Sequence, residues 1–115
     1  MKKFVAIFAL PAATVKEWMA NVSEEERATQ TQQMMQEWND WVAANESSIV
    51  DKGLPLGKTK HVDANGVTDV VNDLNWMMIV QAETPEAAAD LFVNHPHIKT
   101  IPSSYVEIMD ASRTM

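Results

Sequence analysis

The chain has no cysteine, which removes disulfides, thiolate zinc sites and cysteine nucleophiles together. Positive charge is scarce: nine Lys and Arg stand against 16 Asp and Glu, a net charge of −7 with histidine neutral. That field repels phosphate backbones. The only basic cluster, Lys58, Lys60 and His61, is too small to draw the domain onto nucleic acid by counterion release. Long apolar runs are also missing. The stretch from Phe4 to Leu10 is far shorter than the ~20 residues of a bilayer span, so no membrane partner is expected. It lies at the bottom of the range for a secretory h-region and reads better as a buried strand, with a cytoplasmic location expected. No Ser-His-Asp order, phosphate loop or dinucleotide fingerprint is present, and spacing alone identifies no carboxylate pair for glycoside chemistry.

What is present is an ordinary globular composition, 46% hydrophobic and 22% charged, in 115 residues, which is room for one core. Residues 1–110 read as a single domain and 111–115 as a polar tail. Phe4 to Leu10 does not alternate, so a strand there has two faces to cover, and Pro11 ends it. Thr14 with Glu17 reads as a capping box for a short helix. Ser23 with Glu26 reads as a second box, opening a long amphipathic helix to about Asn45. Met34, Met35, Trp38, Trp41 and Val42 form its apolar stripe, with Gln30, Gln33, Glu37 and Asp40 facing away. Asp51-Lys52-Gly53 reads as a turn, and Leu56 to Val62 as a polar-rich strand. Asn65-Gly66 is a hairpin turn returning through Val67 to Val71. Trp76 to Val80 is a second unbroken apolar strand. Thr84-Pro85-Glu86 opens a helix with Ala87, Ala88, Leu91 and Phe92 inward, ended by Pro96, and Tyr105 to Met109 is the last strand.

The order β, α, β, β, α, β, with the first helical region split, predicts an α+β, ferredoxin-like fold with an antiparallel sheet. The two apolar strands are central and the charged ones are edges. Two helices cover only one sheet face, so the other calls for a partner, a second copy of the chain being the commonest.

Several segments together resemble the YCII-related family of the dimeric α+β barrel superfamily. They are Gly57-Lys58-Thr59-Lys60, Gly66-Val67-Thr68-Asp69, Ile79 to Glu83, Pro85 to Ala88, His95-Pro96-His97 and Val106 to Met109, and they span most of the domain. The resemblance implies a homodimer whose sheets close into a barrel. The family includes a chloromuconolactone dehalogenase-like branch, while most members have no established activity. Val70, Val71 and Asn72 follow Asp69 where the family signature has Gly-Pro-Phe, so a site built on that loop does not carry over. Nor does the histidine of a proposed His-Asp pair, which in relatives lies in the first half of the chain.

His95-Pro96-His97 is the most suggestive cluster, because histidine changes charge near neutral pH. With proline between the two and no thiol, neither a metal nor another cofactor is expected. One reading has both histidines capping the last turn of the preceding helix through its free carbonyls. The other makes His97 a loop residue facing a ligand, protonated at a helix C-terminus, with Asp69 as its catalytic partner and His95 turned inward. His95, Lys58 and Trp76 are candidates for binding a ligand, Lys58 for an anionic one and Trp76, with the other tryptophans and the methionines, for an apolar one. Two functions follow. One is a cofactor-independent enzyme using a histidine acid or base in a cleft between helices and sheet. The other is a non-catalytic dimeric module that binds a small molecule or a partner.

Overall fold

A computed structural model describes residues 1–112. Strand β1 (Lys2–Ala9) leads into helices α1 (Ala12–Asn21) and α2 (Glu24–Ala44), then a 3-10 turn and strand β2 (Ile49–Pro55). A hairpin of β3 (Thr59–Asp63) and β4 (Gly66–Val70) follows, then β5 (Leu74–Ala82), α3 (Pro85–Asp90), α4 (Pro96–Thr100) and β6 (Tyr105–Asp110). The fold is α+β. One four-stranded antiparallel sheet has the order β2-β5-β1-β6, and β3 with β4 forms a separate two-stranded sheet. The expected tail lies mostly outside the described residues.

The two apolar runs pair at the centre of the sheet, Phe4 opposite Val80, Ala6 opposite Met78 and Phe8 opposite Trp76. Side chains alternate between faces along a strand, so these six share one face. Ala88 and Phe92 pack on them, with Trp38, Trp41 and Leu91 around the edge. Phe4, Phe8 and Phe92 are among the largest fully buried side chains, each worth about 1.5–3 kcal/mol in apolar transfer. The opposite face carries Val5, Ile7, Met77 and Ile79 on the central strands. Leu54 and Met109 on the edge strands belong to it and are about half exposed. Among the described residues, the helical members of the core, Ala88, Trp38 and Trp41, belong to the cluster built on the Phe4–Val80 face.

Local signals explain most boundaries. The Ser23 hydroxyl accepts from the Glu26 amide at 3.2 Å, and three glutamates fill the first turn of α2, as the capping box predicts. Thr84 accepts from the Ala87 amide at 3.1 Å, with Pro85 opening α3.

Three expectations are corrected. Thr14 does not cap a helix, because α1 starts after Pro11, whose φ of −57° already suits the first turn. Asp51-Lys52-Gly53 is not a turn between elements. It is an irregularity inside β2, where Asp51 Oδ1 accepts from the Gly53 amide at 2.7 Å and Gly53 takes a φ of 81°. A Cβ at Gly53 would overlap the Met77 carbonyl, so β2 can cross β5 this closely only through glycine. The edge strand of the main sheet is therefore Ile49–Pro55. The segment from Leu56 to Val62 divides instead between a loop and the first arm of the hairpin.

The hairpin stands apart. Its register places Val62 opposite Val67 and Lys60 opposite Asp69, so these four share a face, and Val71 follows just past the end of β4. Val62, Val67 and Val71 are 71%, 64% and 87% exposed. The radius of gyration is 15.9 Å, against about 13 Å for a compact chain of this length.

Candidate functional site

Helix α3 stops at Asp90, and the chain restarts as α4 with His95 as its N-cap. The proline rule operates here: His95, just before Pro96, is held extended at φ −63° and ψ 139°, and Pro96 fills the first helical position. His95 Nδ1 accepts from the His97 amide at 3.0 Å. The histidines thus open a new helix and do not close the preceding one, which corrects both sequence readings of the motif.

Both imidazoles are buried, His95 completely and His97 to within 2%. Because Nδ1 of His95 is an acceptor, the proton of its neutral ring sits on Nε2, and that buried atom has no hydrogen-bond partner. Aromatic rings surround it: Trp38 and Trp41 have centroids at 4.5 Å, with interplanar angles of 83° and 62°, and Phe8 lies at 4.9 Å. Their π faces are weak acceptors for such an N–H. Burial, with the neighbouring His97 adding to it, pushes the pKa of His95 down to about 3. His97 Nε2 donates to the Ala9 carbonyl at 2.9 Å, and the His97 carbonyl accepts from Ser104 Oγ at 2.8 Å. Burial lowers the pKa of His97 as well, against a smaller opposing effect of its bond to Ala9. The protonated, ligand-facing imidazole expected of His97 is therefore replaced by a neutral ring anchored to the end of β1.

The other nominated residues lie elsewhere. Asp69 pairs with Lys60 on the exposed hairpin and makes no hydrogen bond or ion pair with His97. Trp76 donates its indole N–H to the Lys52 carbonyl at 2.9 Å and packs edge-on against Trp38, serving the core and the β2 edge. Lys58 lies in the loop before β3, on the rim of an open depression of about 590 Å3 between α1 and the base of the hairpin. Lys16 also lines that depression, as do Met19, Val71 and Leu74. Neither His95 nor His97 lines it. Among the described residues no group of three or more His, Asp or Glu is placed to hold a metal ion.

A second cavity, of about 300 Å3, lies between α1, the first half of α2 and the turn after α4. Leu10, Val15, Trp18, Met34, Met35, Ile101 and Pro102 give it an apolar wall, and Thr14, Gln30, Thr31 and Thr100 bring the polar atoms. No charged side chain lines it. The two helices are tied across its end by Trp18 Nε1 donating to Gln30 Oε1 at 2.6 Å and by Arg27 donating to the Met19 and Val22 carbonyls. The Arg27 guanidinium also sits 6.0 Å from the Trp18 ring.

Sequence reasoning missed the four polar residues. It placed Gln30 on the solvent side of α2, where the residue is exposed but also reaches the cavity rim, and gave the Thr14 hydroxyl to a cap. A signal was there: Ala28 to Gln36 carries no charge, in a helix that is charged before and after that stretch. A solvated helix face has no need to exclude charge, whereas a face turned to an apolar cavity does.

No protein-family model matches the chain, and no curated protein matches it in sequence.

Proposed function

We propose that this chain is a non-catalytic, dimeric small-molecule-binding module with a ferredoxin-like βαββαβ fold of the YCII-related kind. The sheet order β2-β5-β1-β6 supports the ferredoxin-like reading, with the β3–β4 hairpin as an insertion between the second and third strands of that pattern. The observation that carries the function is the cavity between α1 and α2, an apolar wall with a few converging polar groups. The nominated catalytic groups argue the same way. An acid or base must reach its substrate, and the two imidazoles are buried, neutral and committed to the chain's own backbone.

Two surfaces support the dimer. The open sheet face holds Val5, Ile7, Met77 and Ile79, and the hairpin displays Val62 and Val67 on one side, with Val71 exposed just beyond it. An isolated two-stranded hairpin is marginal in water, so an arm of this kind gains its stability by packing on something else. A second copy covers both surfaces at once through a two-fold axis and closes the two sheets into a barrel.

Binding of 2-naphthol, followed through its own fluorescence, tests the function. Saturable one-to-one binding that is lost in Met34→Trp, where an indole fills the cavity, supports the module. Binding unchanged by that substitution moves the site elsewhere and refutes it.

A further inference from the structure

Resting on the binding reading above, the geometry points to one ligand class: a neutral, flat, apolar molecule that carries a hydrogen-bond acceptor held by Gln30, with Trp18 as the positioning residue for that amide. The indole N–H of Trp18 can only donate, so the 2.6 Å bond fixes the Gln30 amide with Oε1 towards the tryptophan. Gln30 is exposed at the rim of the cavity, so both donors of Nε2, without a protein acceptor among the described residues, are open to water or to a ligand. The hydroxyls of Thr14, Thr31 and Thr100, on three walls of the same cavity, also make no side-chain hydrogen bond among the described residues. The cavity therefore offers an oriented amide donor and adaptable hydroxyls to whatever fills it.

Charge decides the rest of the class. A carboxylate or ammonium in this space would find no charged group on its walls, and the Arg27 guanidinium beside Trp18 is engaged by the Met19 and Val22 carbonyls. The indole of Trp18 and the thioethers of Met34 and Met35 suit the faces and edges of a planar ring. A volume of about 300 Å3 is at the small end for ligand sites and suits a ligand of roughly a dozen non-hydrogen atoms. An aromatic ketone, ester or amide has all of these properties. A hydrocarbon lacks the acceptor, and an acid brings the charge.

Calorimetric titration of the full chain with three naphthalenes tests this. 2-Acetylnaphthalene provides ring and acceptor, 2-isopropenylnaphthalene nearly the same shape without the acceptor, and 2-naphthoate the charge. The ketone should bind about fivefold more tightly than the hydrocarbon, the increment of one ordinary hydrogen bond, and the acid at least about tenfold more weakly than the ketone. Gln30→Met, on the exposed part of α2, should bring ketone and hydrocarbon to equal affinity without reducing hydrocarbon binding. Trp18→Phe, which keeps a ring but frees the amide to turn, should narrow the same gap. Equal affinity for ketone and hydrocarbon in the unaltered chain, or tightest binding of the acid, overturns the ligand class while leaving a binding cavity in place. A preference for the ketone that survives Gln30→Met overturns the assignment of the donor. Binding of none of the three, or binding untouched by Met34→Trp, overturns the cavity reading itself and this inference with it.

Discussion

The His97 imidazole donates to the carbonyl of Ala9 at 2.9 Å, joining the first turn of α4 to the last residue of β1 across 88 positions of sequence. Ala9 is fully buried at a register irregularity between β1 and β5, and it is paired on its other side with Tyr105 of β6. His97→Ala removes that donor and opens a void. It should destabilise the chain by about 2–3 kcal/mol in urea, through the lost hydrogen bond and the void together. His97→Gln retains an amide donor and should recover part of it. Wild-type stability in both variants would mean that the bond contributes nothing.

The same burial predicts how stability depends on pH. In the unfolded chain a histidine titrates near 6.5, whereas in the fold His95 is pushed down to about 3 and His97 is also lowered. Below the unfolded value the unfolded chain binds protons that the fold refuses, so stability falls with pH from about 6.5 towards 3 and is flat above 7 as far as these groups are concerned. For His95 alone the loss is about 2 kcal/mol at pH 5 relative to pH 7.5. His95→Asn keeps an N-capping oxygen without a titrating ring and should flatten the pH 5 to 7.5 segment of a urea-midpoint series. A wild-type profile already flat there would show that the imidazoles take up protons freely.

Local rules reached the features that depend on a few neighbouring residues. Ser23 with Glu26 and Thr84 with Pro85 each carry their own stereochemistry and open an element where they should, whereas Asn65-Gly66 marked the hairpin but not its turn: the register puts Ala64 and Asn65 there, neither at positive φ, and Gly66, at φ 122°, opposite Asp63 as the first residue of β4. The two apolar runs identified the central strands, because only a strand covered on both sides can dispense with alternation. Gly53 misled because Asp-x-Gly serves a turn and an in-strand irregularity equally. Only the Met77 carbonyl, brought close by the paired strand, distinguishes them. The histidines misled for a related reason. His-Pro at a helix end reads as a stop, and nothing local announces that the next residues form a new helix under an aromatic cage built from Phe8, Trp38 and Trp41. The cavity was the least legible, since its walls come from residues 10 to 102 and its polar groups sat in positions with simpler explanations.

Assembly is testable by mass. Light scattering at micromolar concentration should give twice the 12.9 kDa of the chain. Ile79→Lys puts a charge at the centre of the open sheet face, whose neighbours on the paired strands are Val5 and Asp51, and should shift the mass to that of one chain without loss of helix signal. A wild-type chain that scatters as a clean monomer would leave the open face and the hairpin valines without the partner assigned to them.

The most direct test of the binding module is methyl NMR of methionine-labelled chain titrated with 2-acetylnaphthalene. Met34 and Met35 line the cavity between α1 and α2, Met19 lines the separate open depression, and Met78 is sealed in the core. The account predicts saturating ring-current shifts at Met34 and Met35, with Met19 and Met78 unmoved. Shifts centred on Met19, or no saturating shift at any methyl group, would contradict it.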